Sequence, residues 1–516
     1  AHARSIARAA RPRAALAAAL ERGLAAHEPH ARVLDNVRAL GRDGSLAVVT
    51  GQQPGLLGGP LYCLHKALST LALARALERE LGARVVPVFW NHADDHDIAE
   101  VHHAWVMNEH FDWRKVGLSG VSSGRMPVGE LALSDATHRI GAISQLLLQS
   151  LPNRPSRARA VELFAPRESE TLATAFTRAF TRLLGELGLV VLEPAWIRDE
   201  LALGLAQIAR SDARAALARG GERLRSGGHP PAIDPDSAAL LFEHRGDGRR
   251  AWRAGEHGWT GGADDAPLDG AALAARIAAE PARWSGAALT RPLAQDLALP
   301  VAAYVGGPGE LAYHVQLAEL REACGAPQTP FAPRASLVLV TRDVESSLAS
   351  LELSLDAALR ARGEIAEERP AAERPAVIAR LAEIATRTAR ELNAERDALA
   401  ELDPGLAIQL RQSADQIKQT IKRLVEKSER VDMNRRGRGT RHVRRVAASL
   451  TPRGEPQERV ATAFEWVARH GEAWIRELAD ALPPLAREPL AVHLELPVAG
   501  TDAAGADGAG ADAPAE

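Results

Sequence analysis

Residues 48 to 60 read VVTGQQPGLLGGP, an apolar run that breaks into four glycines, two prolines and a pair of glutamines. The run starts earlier: SLAVVT, 45 to 50, is short, apolar and preceded by glycine, which reads as a buried strand. From Leu61 to Leu81 leucine and alanine recur at helical spacing, and Gly82 ends the pattern. ARVVPVFW, 83 to 90, is a second apolar strand. Strand, glycine loop, helix and strand within about 45 residues make a βαβ unit, which crosses over right-handed and builds a parallel sheet. The glycine strip then lies at the carboxyl end of one strand and the amino end of the next helix, where doubly wound sheets hold ligands.

The strip lacks the lysine of a Walker A loop and the spacing of a dinucleotide fingerprint. Gln52 and Gln53 supply neutral donors and acceptors, which suit hydroxyls, amides or a sugar better than a bare phosphate. A plain strand-to-helix turn is the alternative reading. Tyr62, His65 and Lys66 follow on the first turns of the helix.

The rest of the chain supports an α/β class with more helix than usual. Of 516 residues, 46 % are hydrophobic but only 4 % aromatic, and alanine, the strongest helix former, is abundant. Further strand signals, LGLVVLEP at 187–194 and LPVAAYV at 299–305, place the sheet within a core over 1–343. Insertions are expected at about 100–165 and 205–285, the latter irregular with small strands. Over 344–450 leucines follow a 4-3 pattern broken at Pro404-Gly405, which predicts a long antiparallel helical hairpin with a narrow seam. Such a seam needs a partner subunit or the core to cover it. Residues 451–498 should return as amphipathic helices to the core, and 499–516, rich in Ala, Gly and Asp, should be disordered.

A net charge of −3 gives no field for nucleic acid or an anionic membrane, and there is no apolar stretch of about 18 residues and no leader-like start. With two distant cysteines, Cys63 and Cys324, a disulfide framework is not expected and a reducing, cytoplasmic setting is. The basic run over 418–445 reads as the solvated face of a long helix, with a phosphate contact as the alternative.

NHADDHDIAEVHH, 91 to 103, follows the second strand directly and so shares an edge with the glycine strip. Asp94, Asp95, His96 and Asp97, with His92 and Glu100 close by, offer general bases; a metal site and a solvated acidic cap are the competing readings. YVGGPGELAYH, 304 to 314, repeats the strand, glycine, helix design, with Glu310 at the helix start and Tyr313 one turn on. Arg291, Gln295 and Asp296 precede it, Arg291 being either a ligand contact or a surface ion-pair partner, and Arg334 follows.

Taken in order, TGQQPGLLGGPLYCLHKA, VPVFWNHADDHD, RPLAQDLALPVAAYVGGPGELAYHVQL with APRAS, and PQERVATAFEWVARHG resemble signatures of the cysteine-adding enzyme family of bacillithiol biosynthesis. The chain departs from that family's pattern at Asp94, usually glutamate, at His65, where a tyrosine is expected, and by lacking an asparagine before Arg291. The resemblance implies a Rossmann-like parallel sheet similar to class I aminoacyl-tRNA synthetases and nucleotidyltransferases, with connective insertions and a coiled coil that makes a homodimer. It implies a ligase that joins L-cysteine to the amine of glucosaminyl malate, with ATP or ADP bound; it implies nothing about a metal. On this reading Asp95, His96 and Asp97 carry the proton chemistry. Gly51, Gln52, Gln53, Tyr62, Lys66, Asp94, Arg291 and Gln295 bind substrate, with Lys66 and Arg291 holding malate carboxylates or phosphates. Gly306, Gly307, Gly309, Glu310, Tyr313 and Arg334 face the nucleotide. The rivals are another ATP-dependent amine ligase or nucleotidyltransferase on the same core, and a dimeric scaffold that binds a metabolite without chemistry.

Overall fold

The apolar run around Val48 forms a strand in the computed structural model, which describes residues 2–494 apart from 10, 109, 119–123, 125, 134–146, 148–150, 152–154, 235–236, 247, 263–265, 365–375, 436–439 and 487. The tail expected to be disordered, and much of the insertion expected near 100–165, lie outside the described residues. Strand β1, Leu46–Gln52, leads through the glycine strip into helix α1, Tyr62–Leu81, and back as β2, Val85–Asn91. Gly82 closes α1 in the left-handed conformation that glycine adopts without strain. Helix α2, Leu172–Leu184, then delivers β3, Val190–Leu192.

The insertion expected to be irregular from 205 begins as helix instead: α3, Arg198–Arg210, and α4, Ala213–Ser226. Asp212 caps α4, and buried Leu201, Leu205, Ile208 and Leu217 give both helices an apolar face, a periodicity that the flanking glycines obscured. A small antiparallel sheet follows, from β4, Leu241–Arg245, β5, Gly248–Gly255, β6, Gly258–Thr260, and β7, Trp284–Gly286, in the order β6-β5-β4-β7. Helix α5, Arg291–Ala298, returns the chain to β8, Val301–Gly306; helix α6, Pro308–Gln316, and β9, Phe331–Pro333, complete the layer.

The main sheet is parallel throughout, in the order β9-β8-β1-β2-β3. Connections leave β1 towards β2 but β8 towards β9, so the switch point of the sheet falls between β1 and β8. Both glycine strips sit there. The Thr50 hydroxyl donates to the Val305 carbonyl at 2.8 Å and fastens the two strand ends together. Val86, Val88, Val190 and Leu192 are buried on one face with Leu201, Leu205 and Leu293. Phe89, Val191 and α1 are buried on the other with Phe176 and Phe180. Cys63 and Cys324 are both buried thiols, and burial pushes Cys63 up to about 12.

The chain divides into two compact units, one running to Leu339 and resuming at Gln457, the other Val340–Pro456. In the first, α9, Ala463–His470, and α10, Ala473–Ala481, bury Phe464, Val467, Trp474 and Ile475 in the same cluster as Phe164 and Phe176. Leu339 and Gln457 lie side by side: the Gln457 amide accepts from the Leu339 N–H and donates to its carbonyl, both at 2.9 Å. In the second unit, α7, Ala376–Ala394, pairs with α8, Pro404–Arg435, and Leu406, Ile417, Leu424 and Val431 remain exposed along α8. Among the described residues no helix is long and apolar enough to cross a membrane.

Candidate active site

At the carboxyl ends of β1 and β2, Gly51 and His92 are in contact. A Cβ on Gly51 would lie 2.5 Å from His92 Nε2 and 2.8 Å from the Trp90 carbonyl oxygen, so only glycine lets the strand ends approach this closely. His92 Nε2 is buried without a hydrogen-bond partner among the described residues. Burial, with Arg291 and Lys66 adding to it, holds the His92 pKa well below the usual imidazole value, so the ring is neutral at pH 7.

His92 lines a cavity of about 400 Å³ together with Trp90, Asp94, Asp95, His96, Phe242, Arg249, Arg291 and Tyr313. Its floor is the edge of the parallel sheet, and its wall includes Phe242 of β4 and Arg249 of β5. A larger hollow, about 720 Å³, lies near Val85 and Pro87 towards the amino ends of the strands. Its rim charges are paired, Arg75 with Asp480 and Arg84 with Glu78, and doubly wound sheets bind ligands at the other edge. The smaller cavity is the better site.

The acidic segment divides its work. Asp94 is clasped by Arg198 through both carboxylate oxygens; burial alone would raise its pKa, but Arg198 lowers it below the usual carboxylate range. Asp95 faces the glycine strip: its Oδ2 accepts from the Gln53 amide at 2.6 Å and its Oδ1 from the His96 N–H at 2.7 Å. His96 Nδ1 is in contact with Arg249. Asp97 caps the short helix Ile98–Val101 by accepting from the Ala99 N–H at 3.1 Å, and it does not line the cavity. Of the expected catalytic group, the cavity therefore gathers Asp95 and His96 and adds His92.

The expected binding residues separate as well. Lys66 is buried, and its ammonium bonds the Gly51 carbonyl at 2.7 Å, Gln52 Oε1 at 2.9 Å and Glu310 Oε2 at 2.5 Å. Its three protons are used inside the protein, so Lys66 braces the glycine strip instead of presenting a charge to substrate carboxylates or phosphates. Gln53 orients Asp95, and Gln52 joins Lys66 to Tyr62, whose hydroxyl is 3.4 Å away. Gln295 is fully buried and ties Arg291 to Asp296. Arg291 lines the cavity, 6.0 Å from the Trp90 ring.

Around the second glycine strip, Glu310 accepts from the Gly307 N–H at 2.8 Å and from the Tyr304 hydroxyl at 2.7 Å. A Cβ on Gly306 would strike the Phe331 ring, whereas one on Gly309 meets nothing within 4 Å. Tyr313 lines the cavity. Arg334 forks onto Glu458 at 2.6 and 2.7 Å, and His65 Nδ1 lies 3.1 Å from the same carboxylate. Burial would raise Glu458, but His65 and Arg334 bring it down to about 2. A nucleotide phosphate needs open donors, yet the α6 amino end is occupied by the Glu310 carboxylate and Arg334 by Glu458. The residues expected to face a nucleotide do not fit a phosphate. Among the described residues no three His, Cys, Asp or Glu side chains converge as metal ligands.

Behind Asp94, Glu193 is buried after β3, accepting from Thr177 at 2.7 Å; burial, less the Thr177 bond, raises its pKa from 4.5 to about 7. Between those values the folded chain holds a proton that the unfolded chain has released, so stability should fall as pH rises through this window and level off above it. Glu193→Gln should remove that slope and exceed wild type by about 3 kcal/mol near pH 8 in urea denaturation, with the two equal near pH 4. Parallel pH curves for the two proteins would refute the assignment.

A parallel sheet with glycine strips at its switch point, and a charged cavity beyond the carboxyl end of β2, defines a Rossmann-like α/β protein. The chain belongs to the bacillithiol biosynthesis BshC family: residues 2–335 match its N-terminal Rossmann-like domain and residues 337–494 its C-terminal coiled-coil domain. Relatives named "Putative cysteine ligase BshC" include that of Symbiobacterium thermophilum, 32 % identical over 91 % of this chain and 88 % of the relative. The Koribacter versatilis protein is 30 % identical over 87 % of this chain and 84 % of its own, and a Bacillus cereus protein 28 % over 85 % and 82 %.

Proposed function

We propose that the chain is a ligase that joins the carboxyl group of L-cysteine to the amine of glucosaminyl malate, as the last step of bacillithiol formation in the cytoplasm. The observation that carries this reading is the cavity beyond the carboxyl end of β2, where an oriented carboxylate, Asp95, a neutral imidazole, His92, and the Arg291 guanidinium line one space. Relatives over most of the chain carry the name cysteine ligase.

The C–N bond forms between the cysteine carboxyl carbon and the sugar amine as the C–O bond to the activating group breaks; one carboxyl oxygen leaves on that group and the amine loses a proton. Asp95, held by Gln53 and the His96 N–H, is placed to take that proton, and a second acceptor is available at His92. Arg291 holds a carboxylate, and the Gly51 carbonyl is fixed by Lys66 beside His92. A free carboxylate is a poor electrophile, so the reaction calls for an activating co-substrate, for which ATP is the proposal. No step is assigned to it, since the Gly307 N–H is held by Glu310 and the Arg334 fork by Glu458. The likeness to class I aminoacyl-tRNA synthetases belongs to this same reading. So does a homodimer through the coiled coil, supported by the exposed apolar residues of α8.

The test is an assay of purified protein with cysteine, glucosaminyl malate and ATP, each omitted in turn. Asp95→Asn is expected to lose at least about 10²-fold in rate with an unchanged unfolding midpoint. An Asp95→Asn protein of full activity would remove Asp95 from the chemistry.

A further inference from the structure

Arg249 belongs to none of the motifs visible in the sequence, yet it occupies the wall of the cavity. Antiparallel pairing in the small sheet sets Arg249 opposite His244, one residue along β5 from the turn. Its side chain is only 6 % exposed. The guanidinium carbon lies 4.1 Å from the centre of the Phe242 ring, a cation–π seat that fixes the plane of the fork. Its Nη2 touches His96 Nδ1, and its Nε is buried with no hydrogen-bond partner among the described residues.

A guanidinium this deeply buried needs an anion. Asp95 is the nearest, but Nη2 to Asp95 Oδ1 is 3.5 Å, and Asp95 already accepts from Gln53 and the His96 N–H. The other cations around the site are used differently: Arg198 is satisfied by both oxygens of Asp94, and Lys66 by Glu310 and the glycine strip. Arg249 is left under-bonded in a space that it shares with Arg291.

We propose that Arg249 is a specificity-determining residue that receives one carboxylate of the malate half of the acceptor substrate, with Arg291 receiving the other. The proposal rests on the ligase reading above. The fork of Arg249 matches a carboxylate in two-pronged geometry. A dicarboxylate gives both guanidinium groups further acceptors, whereas an acceptor without carboxylates leaves the buried Arg249 Nε without a partner and is rejected for that reason. Recognition of the acid thus comes from the inserted sheet, and the chemistry from the edge of the parallel sheet.

The test compares the full chain with Arg249→Gln and Arg249→Lys. KM is measured for each substrate at saturating concentrations of the others, and binding of L-malate alone by titration calorimetry. Arg249→Gln should raise KM for glucosaminyl malate about 10²-fold, change KM for cysteine by less than about twofold and abolish L-malate binding. Arg249→Lys, which restores a point charge without the fork, should recover part of both losses. Unchanged L-malate binding in Arg249→Gln, or a rise confined to the cysteine KM, would overturn the proposal. A wild-type protein that binds L-malate through Arg249 yet makes no product would reject the ligase reading and leave the carboxylate site standing.

Discussion

Replacing Gly51 with alanine is expected to lower kcat/KM of the proposed ligation by about 10²-fold while the protein still folds. The added methyl would stand 2.5 Å from His92 Nε2, 3.1 Å from His92 Cδ2 and 2.8 Å from the Trp90 carbonyl oxygen. Trp90 lies in β2, where its register with Gly51 is fixed by the ladder, so the backbone has little freedom to retreat. The imidazole must swing away instead, towards the cavity it lines. Overpacking of this kind costs about 1–3 kcal/mol, short of unfolding a domain of this size, but a displacement of roughly an ångström is enough to spoil alignment of reacting groups. Gly309→Ala is the matched control, because a methyl there meets nothing within 4 Å and the site is in the first turn of a helix. Steady-state kinetics and thermal unfolding of both variants decide the matter: a fully active Gly51→Ala enzyme would mean that the position of His92 is irrelevant.

Lys66→Met is expected to destabilise the fold by about 3–5 kcal/mol, because it strands the Glu310 carboxylate in a buried site. Burial would raise the Glu310 pKa, but Lys66, with the Gly307 N–H and the Tyr304 hydroxyl, pulls it below its usual value. The same substitution leaves the Gly51 carbonyl and Gln52 without their donor. Glu310→Gln strands Lys66 in turn. The double variant Lys66→Met with Glu310→Leu removes both charges and should recover much of the loss, since apolar replacement of a whole buried pair is often neutral. Urea denaturation of the two single variants and the double variant yields the coupling energy. Single variants within about 1 kcal/mol of wild type would show that the pair is not a structural brace. The pair joins α1 to the start of α6, and so one glycine strip to the other, at the point where the sheet must stay closed for the cavity to keep its floor.

The central sheet was legible because each strand is a local event. Leu46–Gln52, Val85–Asn91, Val190–Leu192 and Val301–Gly306 are apolar runs with glycine or proline at their ends, and periodicity needs only a few neighbours to speak. The motif around Asp94 was legible for the same reason, since it directly follows a strand. What sequence could not divide was the labour within the motif. Asp94, Asp95 and Asp97 are near-identical on paper, and a salt bridge to Arg198, a bond from Gln53 and a helix cap give them three different tasks. Lys66 read as a free cation because its partner is more than two hundred residues away. Glu458 lies 393 residues from His65, and Arg249 comes 153 residues after His96, so nothing local announced either contact. His92 is visible in the same motif, but the burial that makes it neutral is a tertiary property.

The Gln457 amide that grips both backbone groups of Leu339 has a consequence for how this architecture can change. The polypeptide leaves the sheet-bearing unit and rejoins it at a single gate, so the helical excursion between them is topologically a removable cassette. Its length and its seam can drift without changing the strand order of the parallel sheet, because the chain crosses between the units only at Leu339–Val340 and Pro456–Gln457. The two family domains meet between residues 335 and 337, whereas the compact sheet-bearing unit takes its last helices from the far side of the cassette. Modularity in this chain is three-dimensional before it is linear.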